Sequence, residues 1–179
     1  LLHCADYCTP AVLDLAFKSI VSARTQRLCF AKEHVMFKHI LFPTDGSDTA
    51  EKAISTAVDT AKQLGAKVTA VSVIEPFPYM TVGDFVPVAT DDFEAQAKRN
   101  AATALEQVRR ACTDAGVTCE MVTIEAEQAH RGILNCAHQS GCDLIVLGSH
   151  GRKGVEALLL GSTTQKVLTH TKLPVLVVR

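Results

Sequence analysis

Gly148, Gly151, Gly161 and Ser162 stand in the order G-x2-G-x9-G-S, directly after the apolar run "CDLIVL". Glycine costs backbone entropy, so a spaced cluster of glycines needs a reason. Without a Cβ, Gly148 and Gly151 let the backbone turn sharply and approach a ligand closely. Gly161, Ser162, Thr163 and Thr164 open a helical pattern, and the first N–H groups of a helix have no partner inside it. That end carries the positive pole of the helix and suits phosphate. The hydroxyls of Ser162 and Thr164 can add hydrogen bonds or hold a metal that the phosphates carry. Arg152 and Lys153, in the intervening loop, can screen negative charge. Each feature alone has a plainer meaning, a tight turn or a helix cap. Their coincidence matters only if it falls where a ligand would bind.

The elements that must position these residues alternate along the chain. "HILFP" (His39 to Pro43) is a short apolar strand stopped by Pro43 and the turn "TDGSD". A helix follows, with Ala50, Ala53, Ile54, Ala57, Val58, Ala61 and Leu64 on one face. Ser47 or Asp48 is its N-cap, and Gly65 stops it. "KVTAVSVIE" is a second strand, and "PFPYMTVGDFVPVAT" after it is a long loop punctuated by Pro and Gly. A second helix from about Asp91 to Ala115 aligns Phe93, Ala97, Ala101, Leu105, Val108 and Cys112, and Gly116 ends it. "VTCEMVTIE", a helix near Gln128 to Gln139, "CDLIVLG", a short helix "STTQKVLTHT" and "LPVLVVR" complete the series.

Strands alternating with helices imply parallel pairing. The first, fourth and fifth strands are nearly all apolar, as expected when both faces are covered. The expected fold is α/β: a doubly wound five-stranded parallel sheet with helices on both faces. In such sheets a ligand lies beyond the carboxyl ends of the strands, where the strand order reverses. With the first strand central, that reversal separates strands one and four. "PTDGS" (Pro43 to Ser47) and "GSHG" (Gly148 to Gly151) end those two strands, so the glycine motif falls at the expected crevice.

The chain resembles the universal stress protein family over Met36 to Arg179. The nucleotide signature G-x2-G-x9-G-[S/T] of that family is complete here, and "ILFPTDGSDTAEKA" and "THTKLPVLVVR" are similar to its opening and closing blocks. The resemblance implies strand order 3-2-1-4-5 and ATP, with Mg or Mn, in the crevice. It implies that Pro43, Thr44 and Asp45 line the nucleoside end, with backbone at Val73 against the adenine. Gly148, His150, Gly151, Gly161, Ser162, Thr163 and Thr164 would surround ribose and phosphates, with Arg152 nearby. It also implies a stress-response homodimer built through the last strand, at Val175, Leu176, Val177 and Val178. An apolar edge strand is a liability unless covered, and dimerisation would cover it.

Bulk properties set further bounds. The 179 residues suit one domain with a proper core. A net charge of −1 argues against a nucleic-acid partner, which usually needs a basic face. With 5% aromatic residues and no Trp, base-stacking platforms are poorly supplied. No apolar run reaches the roughly 18 residues of a membrane span. The seven cysteines (Cys4, Cys8, Cys29, Cys112, Cys119, Cys136, Cys142) are odd in number and form no CxxC. They read as reduced thiols of a cytoplasmic protein, small hydrophobes in apolar patterns. Cys4-x3-Cys8 with His3 is a weak metal hint. Residues 1–35 carry Asp6 and Asp14 and lack the basic lead of a signal peptide. They are expected to be an N-terminal extension, disordered or translated upstream of a start at Met36, with the stress-protein domain spanning 36–179.

No convincing catalytic group is offered. Asp45 can be a base or metal ligand, but an acid at that turn serves equally as a cap or ribose acceptor. His150 can sense pH, while His39, His130, His138 and His170 lack ligand spacing and are expected at the surface or half-buried. Thr44 and Ser162 lack a base to make them nucleophiles. A response-regulator receiver would need an Asp ending strand three, which instead reads "VTIEAE". An ATP-dependent ligase would need SGGxDS or HxGH, and neither occurs. The expectation is an ATP-binding regulator with slow or no hydrolysis; a dimeric scaffold that binds no nucleotide is the alternative.

Overall fold

The computed structural model describes residues 37–76, 90–150 and 160–179. Five strands, β1 (His39–Pro43), β2 (Lys67–Ile74), β3 (Cys119–Glu125), β4 (Leu144–Gly148) and β5 (Val175–Val178), form one sheet in the order β3-β2-β1-β4-β5. Every neighbouring pair is parallel. Helices α1 (Asp48–Leu64), α2 (Thr90–Ala115), α3 (Ala129–Ser140) and α4 (Ser162–His170) supply the crossovers.

Alternation along the strands divides the core into two. Ile40, Phe42, Val68, Ala70, Leu144 and Val146 face α1 and α2, meeting Ala53, Ala57, Leu105 and Val108. Leu41, Val71, Ile145 and Leu147 face the opposite way, toward Ile133 and Cys136 of α3 and Val167 of α4. All five residues of β1 and of β4 are buried, which explains their continuous apolar runs. Ser47 caps α1 by accepting from the Ala50 N–H at 3.3 Å, and Gly65 ends it in the left-handed region at φ 62°.

At the amino end of the sheet, Asp143 forms a pincer on β1. Its carboxylate accepts from the Lys38 N–H at 2.8 Å and the His39 N–H at 3.0 Å, while its own N–H donates to the His39 carbonyl at 2.9 Å.

Two expectations need correction. Phe93 and Ala97 were placed on the apolar face of the second helix, but Phe93 is 48% exposed and burial begins at Ala101. At about 1.5 Å per residue, α2 is roughly 39 Å long, against about 23 Å for β3, so its first turns outrun the sheet. His39 and His130 are buried, not superficial. His39 lies under the sheet end with Nε2 2.7 Å from the Thr69 hydroxyl.

Burial, then the nearby Lys67 charge, lowers the pKa of His39 from its ordinary 6.5. The folded state therefore holds the proton less tightly than the unfolded chain. Stability from this group is complete above about pH 6.5 and falls as the pH drops through the lowered value. Urea titrations of the wild type should show that acid loss, and His39→Gln should flatten it.

Candidate functional site

The crevice begins where β1 stops. The Thr44 N–H still donates to the Val71 carbonyl at 2.9 Å, and Thr44 is buried. The turn is then held by its own side chains. Thr44 Oγ1 accepts from the Gly46 N–H at 3.2 Å, and Asp45 Oδ1 accepts from the Ser47 N–H at 3.0 Å. Gly46, at φ 71°, supplies the left-handed step. This turn leads directly into the capped start of α1. Asp45 is half-exposed beside it. Pro43 pairs with Val71, so Val73 lies two residues beyond the last paired position of β1, on the loop side of the sheet.

On the far side, β4 ends at Gly148 against that same helix start. A Cβ there would lie 3.2 Å from the Thr49 carbonyl carbon and oxygen, and 3.3 Å from the Ala50 nitrogen. Those are backbone atoms with little room to yield, so glycine lets β4 pack against α1. That packing reason exists whether or not a ligand also approaches. Ser149 is buried, with its N–H donating to Val178 at 2.7 Å and its hydroxyl 3.0 Å from His150 Nδ1. Gly151, Arg152 and Lys153 lie outside the described residues.

The chain returns at Gly161. Its N–H donates to the Ser149 carbonyl at 2.8 Å, and Thr164 Oγ1 donates to the Gly148 carbonyl at 3.0 Å. These two bonds stitch the start of α4 onto the end of β4. Thr164 is only 4% exposed. Its hydroxyl is spent inside the protein, so the expectation that it adds a phosphate bond or holds a metal is corrected to a positioning role. Ser162 is exposed and Thr163 half-exposed. Gly161 is the N-cap and brings no side-chain acceptor, so no cap bond closes the helix end. Thr164→Val should strand the buried Gly148 carbonyl, lowering stability by about 1–3 kcal/mol in chemical denaturation.

Pro43, Thr44, Asp45, Gly148, His150, Gly161, Ser162 and Thr163 therefore gather at the carboxyl ends of β1 and β4 and the start of α4. Ser149 was missed as the residue tying β4, β5 and the return to α4; only its place inside "GSHG" hinted at it. Gly132 was also missed. A Cβ there would come within 2.9 Å of Val73 Cγ1, so α3 lies close over the β2 end. A cavity of about 210 Å³ opens elsewhere, between the β2 and β3 ends and the first turns of α2, lined by Ile74, Pro76, Phe93, Lys98 and Glu125. Among the described residues, no three His, Cys, Asp or Glu side chains converge as a metal site. No helix among them is long and apolar enough to cross a membrane.

Sheet order and the gathered loops define a doubly wound α/β protein with its glycine-rich turns at the switch point. The chain belongs to the universal stress protein family, whose family model matches residues 36–179. It is 33% identical over 144 residues to universal stress protein MJ0531 of Methanocaldococcus jannaschii, covering 80% of this chain and 83% of that one. Universal stress protein YxiE of Bacillus subtilis is 34% identical over 149 residues, covering 80% of this chain and all of its own. Among solved structures, that of hypothetical protein MJ0577 is similar with a TM-score of 0.66 and 29% identity, over 80% of this chain and 96% of its own. A universal stress protein solved in complex with cAMP shares the fold at TM-score 0.61 and 21% identity, over 80% of this chain and 97% of its own.

Proposed function

We propose that this universal stress protein binds ATP in the crevice between β1 and β4, and that occupancy alters its shape or partners in a stress response. One observation carries the proposal. The N-terminus of α4 has no side-chain cap, yet two hydrogen bonds fix it against the end of β4. A helix end left open and held still is a place for phosphate. Backbone at Gly148 and Gly161, with Gly151, would hold the phosphates, Ser162 and Thr163 would add hydroxyls, and His150 and Arg152 would sit beside them. Pro43, Thr44 and Asp45 would meet the nucleoside, with backbone at Val73 against the base. Mg or Mn would arrive on the phosphates. The cAMP complex of a fold relative is consistent with room for an adenine nucleotide in this architecture.

Turnover is slow or absent in this proposal, in which Asp45 serves to shape the turn by accepting the Ser47 N–H. Calorimetric titration of Mg-ATP into the full chain, stripped of copurified nucleotide, tests the proposal. Saturable binding supports it. A folded chain that takes up no ATP would favour the scaffold reading, for which Gly148 already has its packing reason.

The proposed assembly is a cytoplasmic homodimer through β5. Among the described residues that strand is an edge of the sheet, paired with β4, and Leu176 on it is 38% exposed. Val175, Leu176, Val177 and Val178 would pair or pack with a second copy. Leu176→Glu should shift the mass measured by sedimentation from dimer to monomer with little change in circular dichroism. An unchanged dimer would place the interface elsewhere.

A further inference from the structure

A second cavity of about 210 Å³ opens between α3 and α4, lined by His130, Arg131, Leu134, Asn135 and His170. It has no part in the nucleotide proposal: α4 meets the crevice with its first turn and this cavity with its last residue. The two imidazole centroids stand 5.3 Å apart, with their planes inclined by 44°. His170 is exposed and held by Nδ1, 2.8 Å from the Lys166 carbonyl one turn earlier. A carbonyl only accepts, so Nδ1 carries a proton and Nε2 is the nitrogen that titrates. His130 is placed differently. Only 7% of it is exposed, and its ring has no hydrogen-bond partner among the described residues. A buried polar ring is costly unless a group in the cavity completes it.

The charges around the pair select the kind of group. Arg131 follows His130 in the first turn of α3, and Lys166 precedes His170 by one turn of α4. Burial first, then the charges of Lys166, His170 and Arg131, lower the pKa of His130. Glu75, just beyond β2, acts the other way, but its carboxylate already accepts from the Ala129 N–H at 2.7 Å. A divalent cation would be repelled by Arg131 and Lys166, whereas an anion would be drawn in. We propose that this cavity is an oxyanion site, taking a sulfate- or phosphate-like group, free or carried on a small molecule, among His130, Arg131, Asn135 and His170. The guanidinium and the Asn135 amide donate to its oxygens, and the two imidazoles, once protonated, add charge-assisted bonds. Uptake of the anion and uptake of protons then favour each other by the same factor. Acid tightens the ion, and the ion raises the pKa of His130.

Sulfate is the first probe, because its charge stays constant around neutral pH. Imidazole NMR signals of the full chain, assigned with His130→Gln and His170→Gln, are followed as sodium sulfate replaces chloride at constant ionic strength. His130 and His170 should shift along one saturable curve, while exposed His138, at the far end of α3, should not. Lowering the pH from about 8 to about 6 should tighten sulfate roughly 5-fold or more. Arg131→Gln, at an exposed position, should weaken it about 10-fold with the fold intact. The response should persist in Gly161→Val, which separates the cavity from the nucleotide crevice. Glycerol phosphate, titrated in parallel, tells a carried phosphate group from a free ion by which probe saturates at lower concentration. Shifts that rise without saturation for both probes, equal affinity in Arg131→Gln, loss of the response in Gly161→Val, or saturation by zinc but by neither anion would overturn the proposal.

Discussion

Gly161→Val is expected to weaken ATP binding by about 100-fold, roughly 2.7 kcal/mol at 25 °C, while leaving the fold in place. The native backbone there, φ −58° and ψ 149°, is one that valine adopts without strain. The bond from the residue 161 N–H to Ser149 can persist, so α4 stays where it is. What changes is the space over the open helix end, where two methyl groups would stand between a phosphate and the N–H groups of the first turn. Calorimetry beside circular dichroism separates these effects. Binding equal to wild type would mean that nucleotide sits elsewhere; loss of the fold would mean that Gly161 is needed for a reason its dihedrals do not reveal.

Phe42→Ala should be the most damaging single truncation for stability, by about 3–5 kcal/mol. Phe42 is fully buried on the central strand, one residue before the crevice turn begins at Pro43, within the cluster shared with α1 and α2. Deleting its ring leaves a cavity between rigid layers rather than at an edge that can collapse. Against a total stability of about 5–15 kcal/mol, that is a large part of the margin. In urea the midpoint should drop with little change in slope. A shift below about 1 kcal/mol would show that α1 or α2 settles into the gap.

The architecture was legible because strands covered on both faces write themselves as apolar runs. "HILFP" and "DLIVLG" could hardly be placed anywhere but at the centre, and β1 and β4 are there. Family resemblance supplied the strand order, which alternation alone left open. What stayed hidden depended on contacts between distant segments. Thr164 as a ligand and Thr164 as a bolt on Gly148 have the same sequence; only the three-dimensional path of the chain distinguishes them. Phe93 has helical spacing, but nothing in that spacing says how far the sheet beneath extends. His39 looked superficial because a polar ring gives no sign of the Thr69 hydroxyl waiting on the neighbouring strand.

The Asp143 pincer has a consequence for how such a protein could respond to a ligand. It fastens the loop before β4 to the start of β1, and the ladder continues that union through Ile40–Leu144 and Leu41–Ile145. The clamp therefore sits at the end of the two rails opposite the turns after Pro43 and Gly148. Those turns have ties of their own, Thr44 to Val71 on one side and Ser149 to Val178 on the other. A nucleotide between them would meet two turns already held by backbone bonds, which lowers the cost of ordering them. Any message it sends would have to leave through the helices, with α4, pinned by Thr164 to the rail itself, as the first to carry it.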